Sequence, residues 1–415
     1  MPLIPTWTRS RIQRRKLHSR HFLPLLALPG LLALLIPSLA VHSATPQKTK
    51  LPRPRQLDSG VTWRRDPKTG ELSSALASNS ENIDGSAAQP GANSIRVTTQ
   101  LVPVTCSVFA ADGTAITGLT RSDFRVFDDS VEQSITHFSV STDLASVALV
   151  IDASPSVLRD SDEMKQAARA LVEGLSPADQ VAVVDFSSHT YLQLPFSSDR
   201  NLVRSAVDRV DVRQLLGDTG GSNIYEAIYL TAGKVFLGGR EGRKAIVLLT
   251  DGQDSGLGLT LDPSTAAPQA GKPSDRLTFE DVVRALAAAD VQVFAVSTET
   301  RPKIMNPEWL SAHRNATLIT RDARDSRIPA YTLYLAELVR RSGGQLYFLR
   351  ESQSLAEIFR RIAQRIGDEY TLGFDPAAAA ASPAHPGWHP LRVEIPAHPG
   401  ASVIHRAAYY ISATQ

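Results

Sequence analysis

The sequence predicts an α/β protein: a Rossmann-like, doubly wound, mostly parallel sheet with a flanking small β module built from N- and C-terminal segments. Three observations predict it. From Ser146 onward, strand-length apolar runs alternate with helical stripes. Those runs are near-continuously apolar, as in strands covered on both faces. Segments of period-two alternation lie on either side of them, as in strands with one wet face. At 415 residues, 42% hydrophobic and 21% charged, the chain has material for more than one folding unit.

The first 44 residues read as an export signal. Arg9, Arg11, Arg14, Arg15, Lys16 and Arg20 precede an apolar run from Phe22 to Ile36, with no acidic residue up to Ala44. This is a charged n-region followed by an h-region of signal-peptide length. The run falls short of the roughly 20 apolar residues that span a bilayer, and Pro24, Pro29 and Gly30 interrupt it. Cleavage is expected at Ser38/Ala40 or His42/Ala44, with an uncleaved anchor as the alternative. A secreted, periplasmic or cell-envelope location follows, with membrane contact only through this signal or anchor. Removing these six basic residues from the 44 Lys and Arg leaves 38 against 42 Asp and Glu, a net charge of −4. The basic balance therefore belongs to export and argues against a nucleic-acid partner.

Residues 45–94 are rich in Pro, Ser, Asn, Gly and Ala without apolar periodicity, and are expected to form a flexible linker. Residues 95–143 are expected to form an N-terminal β module. Val102, Val104, Cys106 and Val108 share one strand face, and shorter strands follow near Phe124–Phe127 and Gln133–Val140. Thr120-Arg121-Ser122-Asp123 fits a capped single helical turn between them. Cys106 is the sole cysteine, so no internal disulfide can form, and core packing is its expected role.

Residues 144–369 are expected to be the central domain. Its strands are Val147–Ile151, Val181–Phe186, Ala245–Leu249, Val291–Val296 and Gln345–Leu349. Helical stripes are Met164/Ala167/Ala168/Leu171, Ile224/Ala227/Ile228/Val235, Val282/Val283/Leu286, Tyr331/Leu335/Leu338/Val339 and Leu355/Ile358/Phe359/Ile362. Asp254–Arg276 and Thr300–Pro329 break the rhythm and read as surface insertions. Residues 370–415 return to β character as a C-terminal extension, with strands Tyr370–Phe374, Leu391–Ile395 and Val403–Tyr410 and a loop over Pro376–Pro390. They are expected to join the 95–143 module.

The chemistry concentrates in VALVIDASPS, residues 147–156. An apolar strand delivers Asp152, Ser154 and Ser156, a carboxylate and two hydroxyls suited to a hard divalent cation. Ser222, after Gly220-Gly221, and Asp251, at the end of a second apolar strand, can complete the shell. With only two carboxylates, water and an external ligand should fill the other positions, which suits Mg²⁺ or Mn²⁺ better than Ca²⁺. Catalytic patterns are missing. Ser154 is not in a G-x-S-x-G elbow, no phosphate-binding G-x-x-x-x-G-K-[ST] or G-x-G-x-x-G occurs, and His189 has no evident nucleophile. His385, His389, His398 and His405 lack compact zinc-ligand spacing. Asp254 is expected to stabilise the turn that opens its insertion.

The ordered pieces VALVIDASPS, VAVVDFS, GGSNIYEAI and AIVLLTDGQDS make the chain resemble the von Willebrand factor type A (VWA) domain family. GLTRSDFRVFDDSVEQSITHFS resembles the lead-in of its secreted bacterial relatives. The resemblance implies a metal-ion-dependent adhesion site. Ser154, Ser156 and Ser222 would bind the metal directly, Asp152 and Asp251 directly or through water, and a partner's carboxylate would complete the shell. Two departures stand out. Ser222 replaces the usual Thr, keeping the oxygen but losing the methyl that restricts its rotamer. Pro155 replaces a common Gly, fixing φ. The expectation is an exported binding protein, not an enzyme, that recognises an acidic side chain of a protein ligand. The alternative is a metal-independent envelope scaffold with a vestigial ion site.

Overall fold

A computed structural model describes residues 50–65, 72–76, 101–111, 114–140, 144–210, 221–240, 242–257, 276–298, 330–349, 354–367, 369–376 and 387–411. Seven strands form the central sheet in the order β1 (Arg55–Gln56), β10 (Thr190–Ser197), β9 (Gln180–Phe186), β8 (Ala145–Asp152), β11 (Arg243–Thr250), β12 (Val291–Ser297) and β13 (Leu346–Phe348). β9, β8, β11, β12 and β13 run parallel, while β10 and β1 add an antiparallel edge.

Why the strand runs are almost continuously apolar is visible at β8, where all positions are buried. Val147, Leu149 and Ile151 pack on one face with α1 (Ser161–Gly174) and α6 (Leu355–Gly367). Ala148 and Val150 face the other way, toward α3 (Ile224–Leu230), α4 (Phe279–Ala289) and α5 (Ala330–Ser342). The helical stripes read from the sequence point into these two cores. From β8 the chain crosses to β9 on one side, and later enters β11 on the other. The loops leaving β8 and β11 therefore diverge, opening a crevice at the carboxyl edge of the sheet where α/β proteins bind ligands.

Two further sheets share a third core. β4 (Val102–Phe109), β7 (Ile135–Val140), β14 (Tyr370–Phe374) and β16 (Ser402–His405) pair in the order β16-β4-β14-β7. β5 (Arg125–Asp128), β6 (Val131–Gln133), β15 (Gly387–Glu394) and β17 (Ala408–Ile411) pair in the order β17-β15-β5-β6. Val104, Cys106, Val126, Leu372, Phe374 and Val393 fill the space they enclose. N- and C-terminal strands thus combine in one module, as expected. The turn at Thr120 is capped reciprocally by Asp123. Cys106 is fully buried, and burial holds its thiol far above the ordinary range.

Several expectations change. Part of the expected 45–94 linker is folded: Arg55–Gln56 extends the sheet edge, Leu57 is buried, and β2 (Val61–Arg65) pairs with β3 (Leu72–Leu76). Backbone pairing and the Arg65–Asp281 ion pair, at 2.6 Å, hold this segment without any apolar period to announce it. β10 and α2 (Arg200–Arg209) were not foreseen. β15 begins at Gly387, inside the expected Pro376–Pro390 loop, because Gly387–Pro390 pairs with β17. The expected signal peptide, Gly220, and most of the two expected insertions lie outside the described residues. Among the described residues, no helix is long and apolar enough to cross a membrane.

Candidate metal centre at the carboxyl edge

Asp152 closes β8 and is 1% exposed. The backbone N–H of Ser154 donates to its Oδ1 at 2.9 Å, fixing the turn that carries Ser154 and Ser156. Its Oδ2 accepts from the Ser222 hydroxyl at 3.2 Å and from the Thr250 hydroxyl at 2.6 Å. The Ser154 and Ser156 hydroxyls are 3.0 Å apart. Ser154 and Ser222 are buried, whereas Ser156 is exposed at the rim. Three separate loops therefore meet on one carboxylate.

Asp251 follows β11 and is buried beside this group, its Oδ1 accepting the Gln253 N–H at 2.9 Å. Gly252 has φ +89°, a left-handed conformation that strains any residue with a Cβ. Gly221 has no such need, since a Cβ there would meet Ser188 and Ser255 at 3.7 Å, ordinary contact. Ser222 is held by a reciprocal clamp: Ser255 N–H donates to the Ser222 carbonyl at 2.7 Å, and Ser222 N–H to the Ser255 hydroxyl at 3.3 Å.

Burial, with a smaller contribution from the neighbouring Asp251 charge, pushes the Asp152 carboxyl up to about 6 against the hydrogen bonds from Ser154 and Thr250. A buried carboxylate without a counter-charge is costly, and among the described residues no basic side chain hydrogen-bonds to Asp152 or Asp251. The hydroxyls around Asp152 can rotate to offer lone pairs outward. Four hydroxyls and two carboxylates are a donor set that fits a hard divalent cation and no soft one. Thr250 is the functional candidate that sequence reading missed, although it stands in the quoted LLTDG segment beside Asp251.

Other candidates fall elsewhere. Asp254 accepts from Leu257 N–H at 2.7 Å, the turn role expected of it. His189 meets Asp58 Oδ2 through Nδ1 at 2.6 Å. His389 lies in the β sandwich with its Nδ1 3.0 Å from Asp129 and 3.6 Å from Asp128, a cluster that no sequence spacing announces. The Tyr409 hydroxyl donates to Asp128 at 2.9 Å, and the Tyr409 ring stacks on His389.

A mostly parallel sheet with helices on both faces and oxygen-bearing side chains gathered at its carboxyl edge defines a doubly wound α/β domain. Residues 147–253 match the von Willebrand factor type A domain, so this stretch of the chain is of that domain type. No curated protein matches it. Among solved structures it is similar to an aerotolerance-related membrane protein from Bacteroides fragilis, at 17% identity over 54% of this chain and 98% of that one, with a TM-score of 0.36. BatB from Bacteroides thetaiotaomicron is 21% identical over 53% of this chain and 98% of its own, with a TM-score of 0.36. A mussel byssus protein, proximal thread matrix protein 1 with a zinc-occupied MIDAS motif, is 17% identical, with a TM-score of 0.38. The match covers 57% of this chain and 49% of that one.

Proposed function

We propose that this protein is an exported binding module that engages an acidic side chain of a protein ligand through a Mg²⁺-type ion. Asp152, Ser154, Ser156, Ser222 and Asp251 would hold the ion, with Thr250 orienting Asp152. The bound ion would supply a positive centre for the ligand's carboxylate. The chain's own task is to present hydroxyl oxygens in a fixed array and to keep the net charge of the shell low, leaving attraction for that visitor. The observation that carries this reading is the convergence of three segments on a buried Asp152 that has no basic partner among the described residues.

Calorimetric titration with Mg²⁺ tests it. Binding is expected, and at one hundred times Kd it should add about 2.7 kcal/mol to the unfolding free energy. Asp152→Ala should remove both effects while the fold persists. Capture of envelope proteins with and without EDTA separates this reading from a metal-independent scaffold, for which capture would be indifferent to both the chelator and Asp152→Ala. Wild-type protein that takes up no divalent ion ends the proposal.

A further inference from the structure

The sheet edge farthest from β13 is closed by a strap, residues 55–58, that does more than extend the sheet. Leu57 N–H donates to the Thr190 carbonyl at 2.8 Å, and Thr190 N–H donates to Asp58 Oδ1 at 3.2 Å. Asp58 Oδ2 reaches His189 Nδ1 at 2.6 Å, and Gln56 approaches the same nitrogen at 3.4 Å. Lys234 secures the strap from the other side, through the Leu57 carbonyl at 2.7 Å.

His189 ends a tight loop. Ser187 N–H donates to its carbonyl at 3.0 Å, so the loop's shape follows the position of His189. The two other carbonyls of that loop are taken by Asn223. Its backbone N–H donates to Ser187 O at 2.8 Å and its side-chain amide to Ser188 O at 2.9 Å. Asn223 is joined by one peptide bond to Ser222, whose hydroxyl donates to Asp152. An unbroken series of contacts therefore links the strap to the ion site. Glu226, in the first turn of α3, also feels the charges of Asp58 and His189, which ties the same helix to the strap.

We infer that Asp58 and His189 are positioning residues for the ion site: by fixing the Ser187–His189 loop they set where Asn223, and hence Ser222, presents its hydroxyl. The inference rests on the ion-binding reading above and adds a regulatory input to it. Whatever displaces the strap from β10 weakens the hold on the metal. His189 is 51% and Asp58 12% exposed at the side chain, so solvent screens the pair and it adds little to stability, while its geometry still fixes the nearby loop. Coupling is also reciprocal, so a metal that favours the ordered loop must favour the docked strap.

The test is Mg²⁺ titration of the full chain, with melting in EDTA measured alongside. Asp58→Asn should raise the Kd for Mg²⁺ about five- to tenfold while leaving the metal-free melting temperature close to wild type. Arg204→Ala, which removes an exposed ion pair between α1 and α2, should leave the Kd unchanged. A second measurement needs no strap variant. Mg²⁺ should slow amide hydrogen exchange at Leu57 and Thr190 in the wild type, and should not in Asp152→Ala. Wild-type binding with an unaltered Kd in Asp58→Asn, or with Leu57 exchange indifferent to Mg²⁺, overturns the inference and leaves the ion site standing. Absence of wild-type binding removes the ion site itself, and this proposal with it.

Discussion

At the carboxyl end of the parallel sheet, Asp152 is surrounded by the Ser154 N–H and the Ser222 and Thr250 hydroxyls. At the amino end, Glu369 lines a cavity of about 180 Å³ with Arg243, Lys244, Asp290 and Gln292, where the sheet meets the β sandwich. Both acids are almost wholly buried, and burial raises both, Asp152 to about 6 and Glu369 to about 8. What separates them is the company they keep. Asp152 accepts from one backbone N–H and two hydroxyls, and the hydroxyl oxygens can also face a cation. Glu369 is helped by the Arg243 charge and a Gln292 hydrogen bond, is opposed by Asp290, and has one oxygen with no hydrogen-bond partner among the described residues. The first setting favours positive charge entering; the second favours a proton staying. Burial alone therefore does not mark a binding site, and the donor set decides.

Each end can be perturbed separately. The largest effect is expected at Glu369. Its folded pKa lies above its unfolded value, so the folded state retains a proton that the unfolded chain releases. Stability should be fully present below about pH 4.5 and fall as pH rises toward 8, by up to about 1.4 kcal/mol per pH unit. Glu369→Gln should flatten that slope in urea unfolding at several pH values; an unchanged slope would place the titration elsewhere. Asp152 behaves alike over a narrower window, from 3.8 to about 6 in EDTA, and Asp152→Asn should remove that part of the slope only. Gly252→Ala tests whether the loop after β11 depends on its left-handed residue. A loss of about 1–2 kcal/mol is expected, with weaker Mg²⁺ binding. Ser222→Thr is the smallest change, expected within about 0.5 kcal/mol in stability, with a Kd for Mg²⁺ equal to or tighter than wild type.

The five parallel strands were legible because burial on both faces leaves few polar positions, such as Asp185 and Gln292, to confuse the reading. The fate of β10 shows the converse. TYLQLPFS carries a period-two signal in Leu192, Leu194 and Phe196, but Pro195 and two register shifts interrupt it and keep the run short. α2 did carry a signal: Asp199 caps it by accepting from Asn201 and Leu202, and Val203, Ala206 and Val207 form its buried stripe. At the site, the oxygen-bearing residues stood out by type, with Asp152, Ser154, Ser156 and Asp251 following strands and Ser222 leading into a helical stripe. Thr250 did not, since a threonine ending a strand needs no special reason. The strap was illegible because Asp58 and His189 lie 131 positions apart and their contact leaves no period in the sequence.

The sandwich has its own consequence for biosynthesis. β14 lies between β4 and β7 and pairs with both, yet it is made only after the entire parallel sheet has been synthesised. Until Tyr370–Phe374 emerges, two strands from the first third of the chain wait with unpaired edges, the kind of surface that recruits other chains. A premature stop beyond Gly367 would leave the parallel sheet whole and those edges permanently open. Such a truncated protein should reveal itself by clumping rather than by unfolding.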